Sequence, residues 1–265
     1  MEKKILFINQ ELNPYVPDSA LSLMGKAIPQ VIQENGHEIR TFMPKWGIIN
    51  ERRGQLHEVI RLSGMNLIID DTDHPLIIKV ATITGTRIQV YFIDNEDYFS
   101  RRQMTKDEDG KDYADNGERA IFYARGVLET VKKSHWVPDI IHVHGWMGAV
   151  VPLYIKTAYH DEPSFANTKV ITTLLPKSMD ATLPDNFKRC VAFRDATMDL
   201  LAKYNDSFDY NELMKMAIDY SDGVIAGDKD VSKDLLKYAK AAGVPTLAYP
   251  GEDFGAAYEA FYEKI

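Results

Sequence analysis

The sequence predicts an α/β fold: a Rossmann-like domain with a mostly parallel sheet and a β-meander insertion. Three observations carry that prediction. Short continuous apolar runs, of the kind buried on both faces of a parallel sheet, stand at Ile5 to Ile8, Ile140 to Val143 and Val170 to Leu174. Segments with apolar residues three and four apart, the period of a helix face, alternate with them. From Leu56 to Ile93 the rhythm changes to several β-rich runs separated by turn formers, which reads as a meander inserted in the sheet.

In chain order, the first strand breaks into a loop holding Asn13, Pro14 and Pro17. Leu21, Met24, Ile28 and Val31 then mark one face of a helix that Asn35-Gly36 stops, and Ile39 to Met43 reads as a second strand. The meander comprises Val59 to Leu62, Leu67 to Ile69, Leu76 to Ile83 and Ile88 to Ile93, with turns at Gly64, Asp70 to Pro75 and Thr84 to Thr86. Asp94 to Asp115 is polar and irregular. Ala120, Ile121, Ala124, Val127, Leu128 and Val131 give an amphipathic helix, and the strand Ile140 to Val143 follows Pro138. Gly223 to Ala226 and Thr246 to Tyr249 are later strands, and Val231, Leu235, Tyr238 and Ala242 mark a helix closed by Gly243 and Pro245. The last helix puts Phe254, Tyr258, Phe261 and Tyr262 on one face. The expectation is one domain over residues 1–265, with residues 251–265 as its closing helix.

Composition narrows the function classes. The chain has 265 residues, 45% apolar and 26% charged, an ordinary globular balance. Acidic residues exceed basic ones, 39 against 31, and no run of Lys and Arg offers a basic face, so nucleic acid is not an expected partner. A single cysteine, Cys190, excludes an intramolecular disulfide and a multi-cysteine zinc site, and reads as a buried thiol in a reducing compartment. Lys3 and Lys4 precede only four apolar residues, too few for a signal peptide, and no stretch approaches the length of about 20 residues that spans a bilayer. The expectation is a cytoplasmic protein with no membrane partner.

Ligands of an open α/β sheet bind beyond the carboxyl ends of its strands. Yet no Gly occurs between Met1 and Met24, so the loop after the first strand lacks both the dinucleotide fingerprint and a P-loop. His142 and His144, two apart on a strand, project from one face. They offer two metal ligands without a third at diagnostic spacing, or, as the better reading, a polar ring facing the site. Asp71-Thr72-Asp73 reads as a turn rather than a metal motif, and Asp107 to Asp112, lacking the residue order of a calcium loop, as a solvated loop. No metal and no cofactor is expected.

Several motifs, taken together, identify a relationship. Lys4-Ile5-Leu6-Phe7 followed by Glu11 and Pro14, then Ile28-Pro29, Gly36-His37 and Met43-Pro44, resembles the opening of bacterial glycogen synthases and plant starch synthases. The similarity resumes at Val90 to Asp94, Tyr113-Ala114-Asp115-Asn116 and Glu118-Arg119, and is strongest from Trp136 to Trp146, with Pro152-Leu153-Tyr154 after it. Lys215 to Asp222 extends it, so the match is colinear over residues 3–230.

The resemblance implies the N-terminal half of a GT-B-type glycosyltransferase, which holds the glucan acceptor side of a cleft. The second half, which binds most of the nucleotide sugar, would begin where this sequence stops. Residue by residue, Asp115 matches the family's active-site Asp, and His144 the His beside the transferred sugar. Glu11, Tyr15, Asn116 and Trp146 are the substrate-binding candidates that go with them. Elsewhere the chain departs from the family. Pro17-Asp18-Ser19-Ala20 stands where the family grips the sugar nucleotide with Lys-Thr-Gly-Gly, Gly145 replaces an Asp, Leu174-Leu175 a His-Asn, and Asp228-Lys229 a Ser-Pro.

Transfer from a diphosphate leaving group needs cations where negative charge develops. Two functions therefore follow from the resemblance. One is a glycogen synthase-like glycosyltransferase domain, inactive as an isolated chain and dependent on a partner synthase or a homo-oligomer to supply the nucleotide-sugar half. The other is a non-catalytic protein that binds α-glucan or regulates a full-length synthase. A scaffold without a ligand is the bland alternative.

Overall fold

The computed structural model describes residues 2–265. Strand β1 (Lys4–Asn9) leads through a loop to α1 (Ala20–Glu34) and then β2 (Glu38–Pro44). A short α2 (Glu51–Gly54) precedes the meander β3 (His57–Glu58), β4 (Met65–Ile69), β5 (Thr72–Thr82) and β6 (Gln89–Asp94). Helix α3 (Asn116–Ser134) follows, then β7 (Ile140–His144), α4 (Val151–Lys156), β8 (Lys169–Leu174), the short α5 (Phe187–Val191) and α6 (Met198–Leu201), and α7 (Tyr210–Asp219). The chain ends with β9 (Gly223–Ala226), α8 (Lys233–Ala241), β10 (Thr246–Leu247) and α9 (Phe254–Lys264).

The strands lie in the order β10-β9-β8-β7-β1-β2-β6-β5-β3, with β4 paired to β5. Pairing is parallel from β10 through to β6 and antiparallel for β3, β4 and β5, so the architecture is the mostly parallel α/β sheet with a meander. From β1 the chain winds outward through β2 to β6, then returns to β7 on the other side of β1. This reversal puts a topological switch point at the carboxyl ends of β1 and β7, where Asn9 pairs with His144.

Three details differ from the periodicity. Val59 to Leu62 is not a strand: after Val59 N–H donates to Ile78 O, the Leu62 and Ser63 amides turn back to Val59 O, leaving Ile60 82% exposed. Glu96–Ser100, within the stretch read as irregular, forms a single π-helical turn capped by the Asn95 side chain, because Tyr98 and Phe99 bury their rings. Along α1 the buried stripe is Ser22, Gly25, Ile28, Pro29 and Ile32, one step round from the expected face. A Cβ on Gly25 would lie 2.3 Å from Glu11 O, so only glycine lets the helix press on the β1–α1 loop. The displaced face, carrying Val31, meets α9 at Gly255 instead.

The acidic runs also resolve. The hairpin corner between β4 and β5 is Asp70-Asp71, with Asp70 at φ 56°, while Thr72 and Asp73 already pair in the strand. Asp107 closes its own loop by accepting from the Asp109 and Lys111 amides. Asp112, expected in a solvated loop, is instead buried and accepts from the Asp180 and Ala181 amides at 2.7 Å. Cys190 is buried, and burial pushes its thiol up to about 11. Among the described residues no helix is long and apolar enough to cross a membrane.

Candidate functional site

At the switch point the strands deliver a buried polar cluster. His142 and His144 share one face, as their spacing dictates, with their Nε2 atoms 3.2 Å apart. His142 Nδ1 meets the Tyr262 hydroxyl at 2.6 Å and Nε2 meets Thr173 Oγ1 at 2.6 Å. Tyr262 comes from α9 and Thr173 from β8, so three elements distant in sequence converge on one imidazole. Asn9 donates from Nδ2 to Gly25 O at 3.3 Å. Asn9 Oδ1, His144 Nδ1 and Trp146 Nε1 are buried without a partner among the described residues.

The expected open site is therefore closed on this side. His144 is completely buried, with Phe7 5.9 Å from its ring, and α9 lays Tyr258 and Tyr262 against His142. Trp146 is 1% exposed and presents no face to a sugar, because it packs in the turn of 3₁₀ helix that follows β7. Tyr15 is buried too, edge-on to Phe92 at 4.9 Å, and burial pushes its phenol up to about 12. Glu11 is half-buried and accepts from Ser19 Oγ at 2.5 Å, while Ser19 caps α1. Asp18 pairs with the Asn13 amide at 2.7 Å.

Asp115 and Asn116 belong to a second cluster, at the start of α3. Asp115 has a quarter of its side chain exposed; Oδ2 accepts from Arg102 at 3.1 Å, and Oδ1 is buried without a partner among the described residues. Arg102 also lies over the Tyr113 ring, 5.0 Å from its centroid. Arg102 and Tyr113 line a surface cavity of about 530 Å³ that also takes in Gly47, Ser100 and Gln103. Asn116 is buried and structural in its contacts: it donates to Thr105 O and accepts from Arg119. No hydrogen bond joins Asp115 to His144, so the two family-matched positions sit in separate settings, one half-open and one sealed.

Sequence reasoning missed three participants. Arg119 is buried, spans Tyr98 O, Met104 O and Asn116 Oδ1 at 2.7 Å each, and lies over Trp46, Phe99 and Tyr113. Gln10 accepts from the Met147 amide and packs under Gly145, whose φ of 91° and lack of Cβ it requires, since a Cβ there would lie 2.7 Å from Gln10 Cβ. Tyr262 is the third. The helical spacing of the α9 aromatics was the one signal available for it.

The imidazoles carry a pH dependence. Burial drives His142 well below the ordinary value, with its neighbour imidazole adding, and drives His144 down to about 3. Unfolded imidazoles titrate near 6.5, so below that pH the unfolded chain binds more protons than the native one. Stability is then full above about pH 6.5 and falls as pH drops toward the folded values, by up to about 1.4 kcal/mol per pH unit for each imidazole. Urea unfolding followed by circular dichroism is expected to show a lower midpoint at about pH 5 than at about pH 7.5. Equal midpoints would mean that the rings are solvated.

Fold and site together define an open α/β domain whose polar side chains gather at the carboxyl ends of the central strands. The chain belongs to the starch synthase catalytic domain family, whose model matches residues 4–247. It is 38% identical over 182 residues to the glycogen synthase of Chlorobium luteolum, covering 68% of this chain and 37% of that protein. It is 40% identical over 172 residues to the glycogen synthase of Chlorobaculum tepidum, covering 64% and 35%. The catalytic domain of starch synthase IV from Arabidopsis thaliana, solved bound to ADP and acarbose, shares the fold with a TM-score of 0.74 at 17% identity, over 94% of this chain and 51% of that one. The chain thus spans about a third of the curated glycogen synthases it matches.

Proposed function

We propose that this glycogen synthase-like glycosyltransferase domain does not transfer glucose by itself, and that its own role is on the glucan side. The carrying observation is His144, the residue matched to the family's sugar-side histidine, which is completely buried against Phe7 and the His142 imidazole. A cationic contact is also missing from the β1–α1 loop, where Asp18 stands among Pro17, Ser19 and Ala20. Negative charge developing on a diphosphate leaving group would meet a carboxylate there, an unfavourable arrangement where stabilisation is normally worth several kcal/mol. Asp115, by contrast, is half-open beside a cavity with polar walls, a setting suited to sugar hydroxyls.

A second reading, completion of the cleft by a partner synthase or a second copy, is favoured by the family-matched Asp115, whose side chain stays a quarter exposed beside Arg102 of the surface cavity. One pair of assays separates the readings. Purified chain mixed with glycogen and radiolabelled ADP-glucose or UDP-glucose is expected to incorporate no label above a heat-killed control. Maltooligosaccharides at millimolar concentration are expected to perturb backbone NMR signals around Asp115 and Tyr113, and Asp115→Ala to weaken the response about tenfold, the loss of one charge-assisted hydrogen bond. Label incorporation abolished by His144→Ala would sink the proposal, and absence of oligosaccharide binding would sink its glucan part.

A further inference from the structure

We infer that the cavity between the end of β4 and α5 is a binding site for a phosphate-bearing small molecule, separate from the cleft at the switch point. The cavity holds about 420 Å³ and is lined by Asn66, Ile68, Arg125, Arg189, Cys190 and Phe193, with Asp70 on its rim.

Arg125 carries the argument. It is 8% exposed, yet among the described residues no carboxylate lies within 4.0 Å of its guanidinium. Its Nη1 donates to Ile68 O, its Nε is buried without an acceptor, and its Nη2 makes no hydrogen bond. The Phe193 ring, 3.9 Å from Cζ, offsets part of the charge. A buried Nε–H left unmet, on a cation with no carboxylate beside it, costs free energy that a neighbouring anion recovers, and Nη2 keeps donors for the same anion.

Arg189 supplies a second guanidinium at the same opening, two-thirds exposed and bonded to Asp70 at 2.6 Å. That pairing occupies the one acidic side chain that lines the cavity; Asp71 and Glu118, which also act on the Cys190 thiol, stand outside the lining. Two planar guanidinium groups match the tetrahedral oxyanion of a phosphate through parallel N–H donors. The volume exceeds what a bare phosphate fills and suits a monophosphate ester of hexose size, with the Asn66 amide at hand for a hydroxyl. The Cys190 thiol is kept protonated by burial and by the acidic groups around it, so it serves as a wall and not as a nucleophile.

The test titrates the full chain with inorganic phosphate and, separately, with glucose 1-phosphate, read by calorimetry and by the ¹⁵Nε signal of Arg125. Saturable binding of at least one of them is expected, with the Arg125 signal moving. Arg125→Met should remove that binding, and Arg189→Gln should weaken it about tenfold. Tighter binding of the ester assigns the site to a sugar phosphate, and equal binding assigns it to the free anion. If Arg125→Met does not fold, Arg189→Gln decides, since that side chain lies at the surface. No saturable binding at about 10 mM of either compound, or affinity unchanged in Arg189→Gln, overturns the inference.

Discussion

Truncation after Pro250 is expected to lower the melting temperature by on the order of 10 °C or more, or to leave the chain insoluble. The segment removed contains α9, which buries Tyr258, Phe261 and Tyr262 almost completely. Burying a large apolar side chain contributes about 1.5–3 kcal/mol, so three of them amount to roughly 5–9 kcal/mol, against a typical total of about 5–15 kcal/mol. The loss is not only apolar. Phe261 and Ile265 pack directly on Gly223 of β9, Lys3 Nζ donates to Tyr262 O at 2.7 Å, and His37 pairs with Glu259 at 2.8 Å. Removing the helix also takes the Tyr262 hydroxyl from His142 Nδ1. At about 2–4 °C per kcal/mol for a chain of this size, the shift is readily measured by calorimetry. A melting curve identical to that of the full chain would show that α9 is not part of the cooperative fold.

The second large effect is expected at Arg119. Replacement by Met keeps the volume and removes three donors at once, leaving Tyr98 O, Met104 O and Asn116 Oδ1 unpaired in the interior. Each orphaned buried acceptor costs about 1–3 kcal/mol, and the cation over three aromatic rings is lost as well, so destabilisation of about 3–5 kcal/mol is expected. Arg119→Lys should not restore it, because an ammonium lacks the planar fork that spans three acceptors. Burial lowers the guanidinium to about 10, which still leaves it charged at neutral pH. Urea unfolding decides the point: a Met variant within about 1 kcal/mol of the parent would mean that water substitutes for the fork.

Much of the architecture was legible because local and global signals agreed. The strand at Ile5 to Ile8, the stop at Asn35-Gly36 and the strand Gly223 to Ala226 all appear where periodicity and turn chemistry place them. Val59 to Leu62 failed because β-propensity describes a half-buried surface, and here the chain had to turn at Gly64 to form the next strand. Within the candidate site, the two-residue spacing gave the common face of His142 and His144 directly. Their burial was not legible, because the residues packed on them, Tyr258 and Tyr262 on His142 and Phe7 on His144, lie more than a hundred positions away. The same holds for Arg119: its partners follow from the path of the loop between Tyr98 and Thr105, which no periodicity describes. Trp146 and Tyr15 show the converse, aromatic positions whose rings are taken up by packing.

The backbone at Gly145 limits which residues this corner of the fold accepts. The resemblance places an aspartate there, but with φ at 91° and the Gln10 side chain 2.7 Å from any added Cβ, a single substitution by aspartate is obstructed twice over. Gln10 would have to shrink first, and its contact with the Met147 amide would go with it. The corner is therefore a coupled pair: an aspartate at position 145 asks for a second change at position 10, and the first change is costly by itself.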